Sequence, residues 1–195
     1  MPPSVYMAKK YEFKPDKPRT SFLSKLIPTR LQRRSILKWT LYALVLLVLS
    51  VLQDVLLSRW RFLGGTTELV PCGIFLICLL EGVERGSVFS LVASLIYLFS
   101  GSAAGYYSVV LITILAVFVT AFRQSYLQQG LGAALLCVTA AMLAYEGMVY
   151  VIALFLQIAR PDAIWGCLVT AIVTLPAIPI LYPIVHAIGG KTWNE

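Results

Sequence analysis

LVPCGIFLICLLEGVERGSVFSLVASLIYLFSG, residues 69–101, is the stretch whose reading decides how this chain folds. Two apolar runs flank the polar turn Glu81-Gly82-Val83-Glu84-Arg85-Gly86. As an α-helix, the first run, Leu69 to Leu80, covers about 18 Å, against roughly 30 Å of hydrocarbon in a bilayer. Alone it barely crosses. Either the helix extends from Thr66 to Val83 with its polar ends at the two interfaces, or the pair of runs dips into the membrane and returns while shielded by protein. Both arrangements require packed neighbours, because lipid cannot hydrogen-bond the backbone of a turn.

The rest of the chain supplies those neighbours. Its 195 residues are 59% hydrophobic and 13% charged, whereas soluble domains carry about a quarter charged residues. This composition indicates an all-α polytopic membrane protein forming one bundle, with no room for a second sizeable domain. Ile36 to Leu57 is a continuous apolar run long enough to span, with no small-residue cleavage site after it, and reads as a signal anchor. Ser58 to Glu68 is a connecting loop that Trp60 and Phe62 anchor at the interface. The runs within 69–101 form the second and third segments as a short helical hairpin. Ser100 to Gly105 is small and uncharged, which suits a tight turn. Tyr106 to Phe122, Gly130 to Gln157 and Ile164 to Ile188 complete six transmembrane helices, a domain over residues 36–190. The last of these contains Pro176, Pro179 and Pro183, a candidate hinge where the helix is kinked or unwound.

The net charge of +7 is not a nucleic-acid signature. Ten of the sixteen Lys and Arg precede residue 39, the pattern that orients membrane proteins with their cations in the cytoplasm. Residues 1–35, rich in proline and cations, read as a disordered cytoplasmic tail. Arg30, Arg33 and Arg34 at its end and Lys38 just beyond it are candidate contacts to an anionic lipid surface. With an even number of crossings, the N and C termini both face the cytoplasm.

Few residues carry chemistry. His186 is the only histidine, and the chain has no HExxH, no GxSxG elbow and no phosphate-binding GxxxxGK[ST] loop. Cys72, Cys78, Cys137 and Cys167 lie in apolar runs without metal-ligand spacing and read as small buried hydrophobes. No catalytic set, cofactor or metal is assigned. Glu146 lies near the middle of the fifth span, where a lipid-facing carboxylate is costly. Ala140, Ala144 and Gly147 form a small-residue stripe beside it, so it turns toward the packed interior, as a buried polar clamp or a partner contact, protonated or hydrogen-bonded to hydroxyls such as those of Thr139, Tyr145 or Tyr150. Gln53, at the end of the first span, is a second candidate of the same kind.

The order of features is also informative. A first span ending at Gln53, then Pro71, the turn from Glu81-Gly82 to Gly86, a third segment running into Ser100-Gly101, and Gly105 before the fourth span resembles the rod shape-determining protein MreD family over residues 36–188. The resemblance implies a non-enzymatic scaffold in the bacterial cytoplasmic (inner) membrane, part of the cell-elongation and peptidoglycan-synthesis machinery. Its implied partners are MreC and, through it, the actin-like MreB, RodA and a class B penicillin-binding protein. Many members carry an aspartate late in the third segment, where this chain has Ile96-Tyr97-Leu98-Phe99, so no role of that acid transfers. The alternative is the substrate-binding membrane component of an energy-coupling-factor vitamin transporter, also a six-helix bundle. Such components dock through Ala-xxx-Ala in the first helix, whereas here Ala43 is followed by Leu47. An intramembrane enzyme has no supporting motif.

The charge distribution predicts that a reporter fused after Glu195 and active only when exported stays silent. Activity there would reverse the assigned topology.

Overall fold

The computed structural model describes residues 30–57, 67–126, 130–158 and 164–190. Among these the structure is entirely helical. Helix α1 (Arg30–Leu52) widens at its end into a π-helical segment, Gln53–Leu57, and is followed by α2 (Leu69–Glu81), α3 (Val83–Phe99), α4 (Tyr107–Tyr126), α5 (Leu131–Phe155), α6 (Ile164–Thr174) and α7 (Ala177–Gly190). Helix thus begins at Arg30, within the stretch that reads as tail. The loops carrying Trp60, Phe62 and Arg160 lie outside the described residues.

The architecture is a bundle around α2. Every residue from Leu69 to Leu79 is buried, and α1, α3, α4, α5 and α7 all pack against this helix. An α-helix that is apolar on all sides is stable only when enclosed, and the unbroken run LVPCGIFLICLL meets that condition. By length and composition, three helices can cross a membrane: Ser35–Val55 within α1 and its π extension, Tyr107–Gln124 within α4, and Leu131–Phe155. The pair α6 and α7, bent by 47°, counts as a fourth if taken as one broken span. The segment from Ile164 to Ile188, read as one span kinked or unwound at its prolines, is thus broken into two helices. The break falls at Leu175 and Pro176, where the missing proline N–H removes a rung of the ladder. Pro179 lies in the first turn of α7, where its missing N–H is tolerated, and Pro183 lies inside α7, which continues past it.

The connection between α2 and α3 is a single residue, Gly82, at φ +89°, a left-handed conformation that only glycine adopts without strain. One turn later Gly86 lies against the backbone of α2. A Cβ there would sit 3.0 Å from both the Cα and the carbonyl oxygen of Cys78, and the Cys78 thiol donates to the Gly86 carbonyl at 3.1 Å. Close backbone approach of this kind is how helices pack when their surroundings are as apolar as their cores.

Gly86→Val is expected to force α2 and α3 apart and destabilise the fold by about 1–3 kcal/mol, lowering the thermal midpoint in detergent. Gly132→Val, where a Cβ meets nothing within 4 Å, is the control and leaves the midpoint essentially unchanged.

Candidate functional site

A helix as short as α2, about 20 Å at 1.5 Å per residue, carries unpaired amides at one end and unpaired carbonyls at the other. Both ends are buried in the bundle, and both are met by polar side chains from other helices.

At the C-terminal end, Glu81 is the hub. Its Oε1 lies 2.6 Å from Lys38 Nζ and accepts the Tyr42 hydroxyl at 2.6 Å. Lys38 and Glu81 are only 10% and 4% exposed. Trp39 and Phe89 pack on the Tyr42 ring at centroid distances of 5.9 and 6.1 Å. Gly189 brings α7 against the same hydroxyl, leaving 3.2 Å between Tyr42 Oη and the position of a Cβ. From α4 the buried Arg123 guanidinium donates to the Leu79 carbonyl. A cation at the last carbonyls of a helix opposes the negative end of its dipole. Lys38, which the sequence groups with the lipid-facing cations, is thus engaged inside the bundle. Arg33 is exposed, and the side chains of Arg30 and Arg34 lie outside the described residues.

At the N-terminal end, Gln53 does the equivalent work from the π-helical segment of α1, a type of distortion that recurs at functional sites. Its Oε1 accepts the Val70 N–H at 3.0 Å and its Nε2 donates to the Tyr97 hydroxyl at 3.4 Å. Tyr97 donates onward to the Ser102 carbonyl at 3.2 Å, and the Ser102 hydroxyl donates to Asp54 Oδ1 at 2.6 Å. From α6, Thr174 Oγ1 accepts the Glu68 N–H at 3.2 Å.

Glu146 is inside, 6% exposed, but not for the expected reason. The buried stripe of α5 is Ala134, Cys137, Val138, Ala141, Met142, Tyr145 and Glu146, whereas Ala140 and Gly147 are exposed and Ala144 is half-buried. Ala144 and Gly147, with Leu111, Met148 and Val151, line an open groove. Nor do the neighbouring hydroxyls of Thr139 and Tyr145 satisfy the carboxyl: Thr139 Oγ1, Tyr145 Oη and Glu146 Oε1 are all buried without a hydrogen-bond partner.

Glu68, Tyr97 and Tyr42 escape a reading of the sequence alone. Glu68 closes a loop in that reading, but a helix as short as α2 and apolar on all sides starts inside the bundle, and that shortness is the available signal. Where the third segment lacks an acid, it supplies the buried phenol of Tyr97. Among the described residues no group of three His, Cys, Asp or Glu side chains converges to hold a metal. His186 is exposed and stacked on Tyr182 at 5.6 Å.

Removing one partner of a buried ion pair costs about 3–5 kcal/mol, whereas neutralising both costs far less. Lys38→Met alone is therefore expected to lower stability in detergent by about that amount. Lys38→Met combined with Glu81→Gln, which leaves Tyr42 an acceptor, should recover most of the loss in the same thermal assay.

Compared with known proteins, the chain matches no family model, no curated protein and no solved structure.

Proposed function

We propose that this protein is a non-enzymatic scaffold of the bacterial inner membrane, serving the cell-elongation machinery as MreD-family proteins do and crossing the membrane six times with both termini in the cytoplasm. The observation that carries this reading is the division of labour in the bundle. Its interior is tied at both ends of α2, while α1 leaves most of its surface unpacked, with only 17% of its spanning window buried within the chain. Ile36, Leu37, Leu44, Leu47, Val48 and Val51 are all more than half exposed. Such a face suits a partner's membrane helix, the contact that a scaffold bound to MreC requires. Of the positions that carry the family resemblance, four fall at packing junctions of α2, Gln53 on its first turn, Pro71 within it, Gly82 at its exit and Gly86 against Cys78, while Ser100-Gly101 and Gly105 lie in the turn before α4.

The vitamin-transporter reading draws support from one observation, the unpaired polar atoms between α2 and α5. Against it, Leu47 is 64% exposed where the small docking surface of such components belongs.

Depletion in a rod-shaped host is expected to round the cells. Leu44→Trp together with Leu47→Trp should abolish co-purification of MreC while leaving the thermal midpoint unchanged. Cells that keep their shape but lose uptake of a vitamin, with a vitamin-sized molecule co-purifying with the protein in mass spectra, would replace the scaffold with the transporter component.

A further inference from the structure

The two ends of α2 differ in charge. Every described Lys and Arg side chain belongs to the Glu81 end: Arg33 and Lys38 on the opening turns of α1, Arg85 on the first turn of α3 and Arg123 against Leu79. The opposite end holds Asp54, Glu68 and Glu146, the last two without a described counter-charge. Asp54 is engaged by Ser102. Glu68 and Glu146 each keep one buried carboxyl oxygen without a partner, as do the hydroxyls of Thr67 and Tyr145.

These four atoms belong to one region. Thr67 and Glu68 form the entrance of α2, which Thr174 of α6 holds through the Glu68 N–H. Tyr145 and Glu146 come from the buried stripe of α5, and the Tyr145 ring packs on Phe75 of α2 at 6.4 Å. Glu68 and Glu146 interact electrostatically with each other, and both act on the Tyr145 phenol and the Cys167 thiol. Tyr145 is fully buried, so its unpaired hydroxyl is an observation separate from the carboxyl pair. Buried polar groups in native proteins are nearly always satisfied, and two carboxyls sharing an apolar site hold a proton between them or take a counter-charge.

We propose that Glu68 Oε2, Glu146 Oε1 and the hydroxyls of Thr67 and Tyr145 bind one small monovalent cation, either an alkali ion or the ammonium group of a small amine. The donor set selects the class. All four donors are hard oxygens, which suit hard cations over soft metals. With one proton held between the two carboxyls the site carries a single negative charge, which a monovalent cation balances. One positive charge between two carboxyls removes their repulsion, and the hydroxyls complete the shell. The site stands independently of the elongation reading.

The test uses the full-length protein in detergent at constant ionic strength set with N-methyl-D-glucamine chloride, a cation too large for the site. Sodium, potassium or methylammonium chloride then replaces it in steps. The thermal midpoint is expected to rise saturably with at least one of them, by about 5–10 °C at a hundredfold excess over the dissociation constant. A response to sodium or potassium assigns an alkali ion, and a response to methylammonium alone assigns an amine. Glu68→Gln and Glu146→Gln should abolish the rise, Tyr145→Phe should weaken affinity several-fold, and Glu84→Gln, at the other end of α2, should leave it intact. Equal midpoints in all salts would overturn the proposal, as would a rise that persists in both Gln variants. If a Gln variant fails to fold, equilibrium dialysis of the wild type against the responding cation decides: one saturable equivalent per chain supports the site and none refutes it. A fall in stability on Arg59→Gln, Arg61→Gln or Arg160→Gln, with no cation dependence, would also refute it by showing that the chain supplies its own counter-charge.

Discussion

A helix that ends inside a membrane protein has nowhere to send its terminal amides and carbonyls except to other side chains. That constraint, applied to both ends of α2, organises this molecule. Gln53 and Thr174 receive amides at one end, and Arg123 donates to a carbonyl at the other. Each comes from a different helix, so the same bonds that satisfy α2 fix α1, α4 and α6 around it. Apolar packing alone would leave the rotation of those helices poorly defined, because one aliphatic face fits another in many registers. A directional bond to a fixed backbone group selects one.

The sequence shows which segments form elements more clearly than which elements meet. The run from Leu69 to Leu80, with no polar face and too little length, already states that it must be enclosed. Pro176 marks the break between α6 and α7 for a reason local to its own backbone. Gln53 and Glu146 stand out because amides and carboxyls are costly in apolar surroundings. Partnerships are another matter. Lys38 and Glu81 lie on separate helices, and nothing in the residues around Lys38 distinguishes an inward cation from one reaching for headgroups. The stripe of Ala140, Ala144 and Gly147 follows a helical period faithfully, yet α5 turns it outward, because Ala134, Cys137 and Ala141 form a second small-residue stripe at the same period. The sequence holds two candidate faces, and the position of α2 chooses between them.

Polarity also divides along the bundle. Cations collect where α2 ends and carboxyls where it begins, so the charges at both ends complement the helix dipole. Of the two carboxyls at the cation-rich end, Glu81 is paired twice over, by Lys38 and Tyr42. The other end relies on neutral hydrogen-bonding groups, the Gln53 amide and the hydroxyls of Tyr97, Ser102 and Thr174. The first arrangement holds its geometry by charge and the second by hydrogen-bond direction. High salt should therefore act on the two ends unequally, although burial limits its access to either.

The four cysteines carry a practical consequence. Cys72, Cys78 and Cys137 are buried and Cys167 is half-buried, all as free thiols. Cys72 and Cys78 sit on the enclosed helix and Cys137 on the buried face of α5, so a maleimide meets them only after the bundle has opened. The wild-type chain therefore carries its own unfolding clock: Cys167 labels first, and the other three label at the rate at which α2 is uncovered.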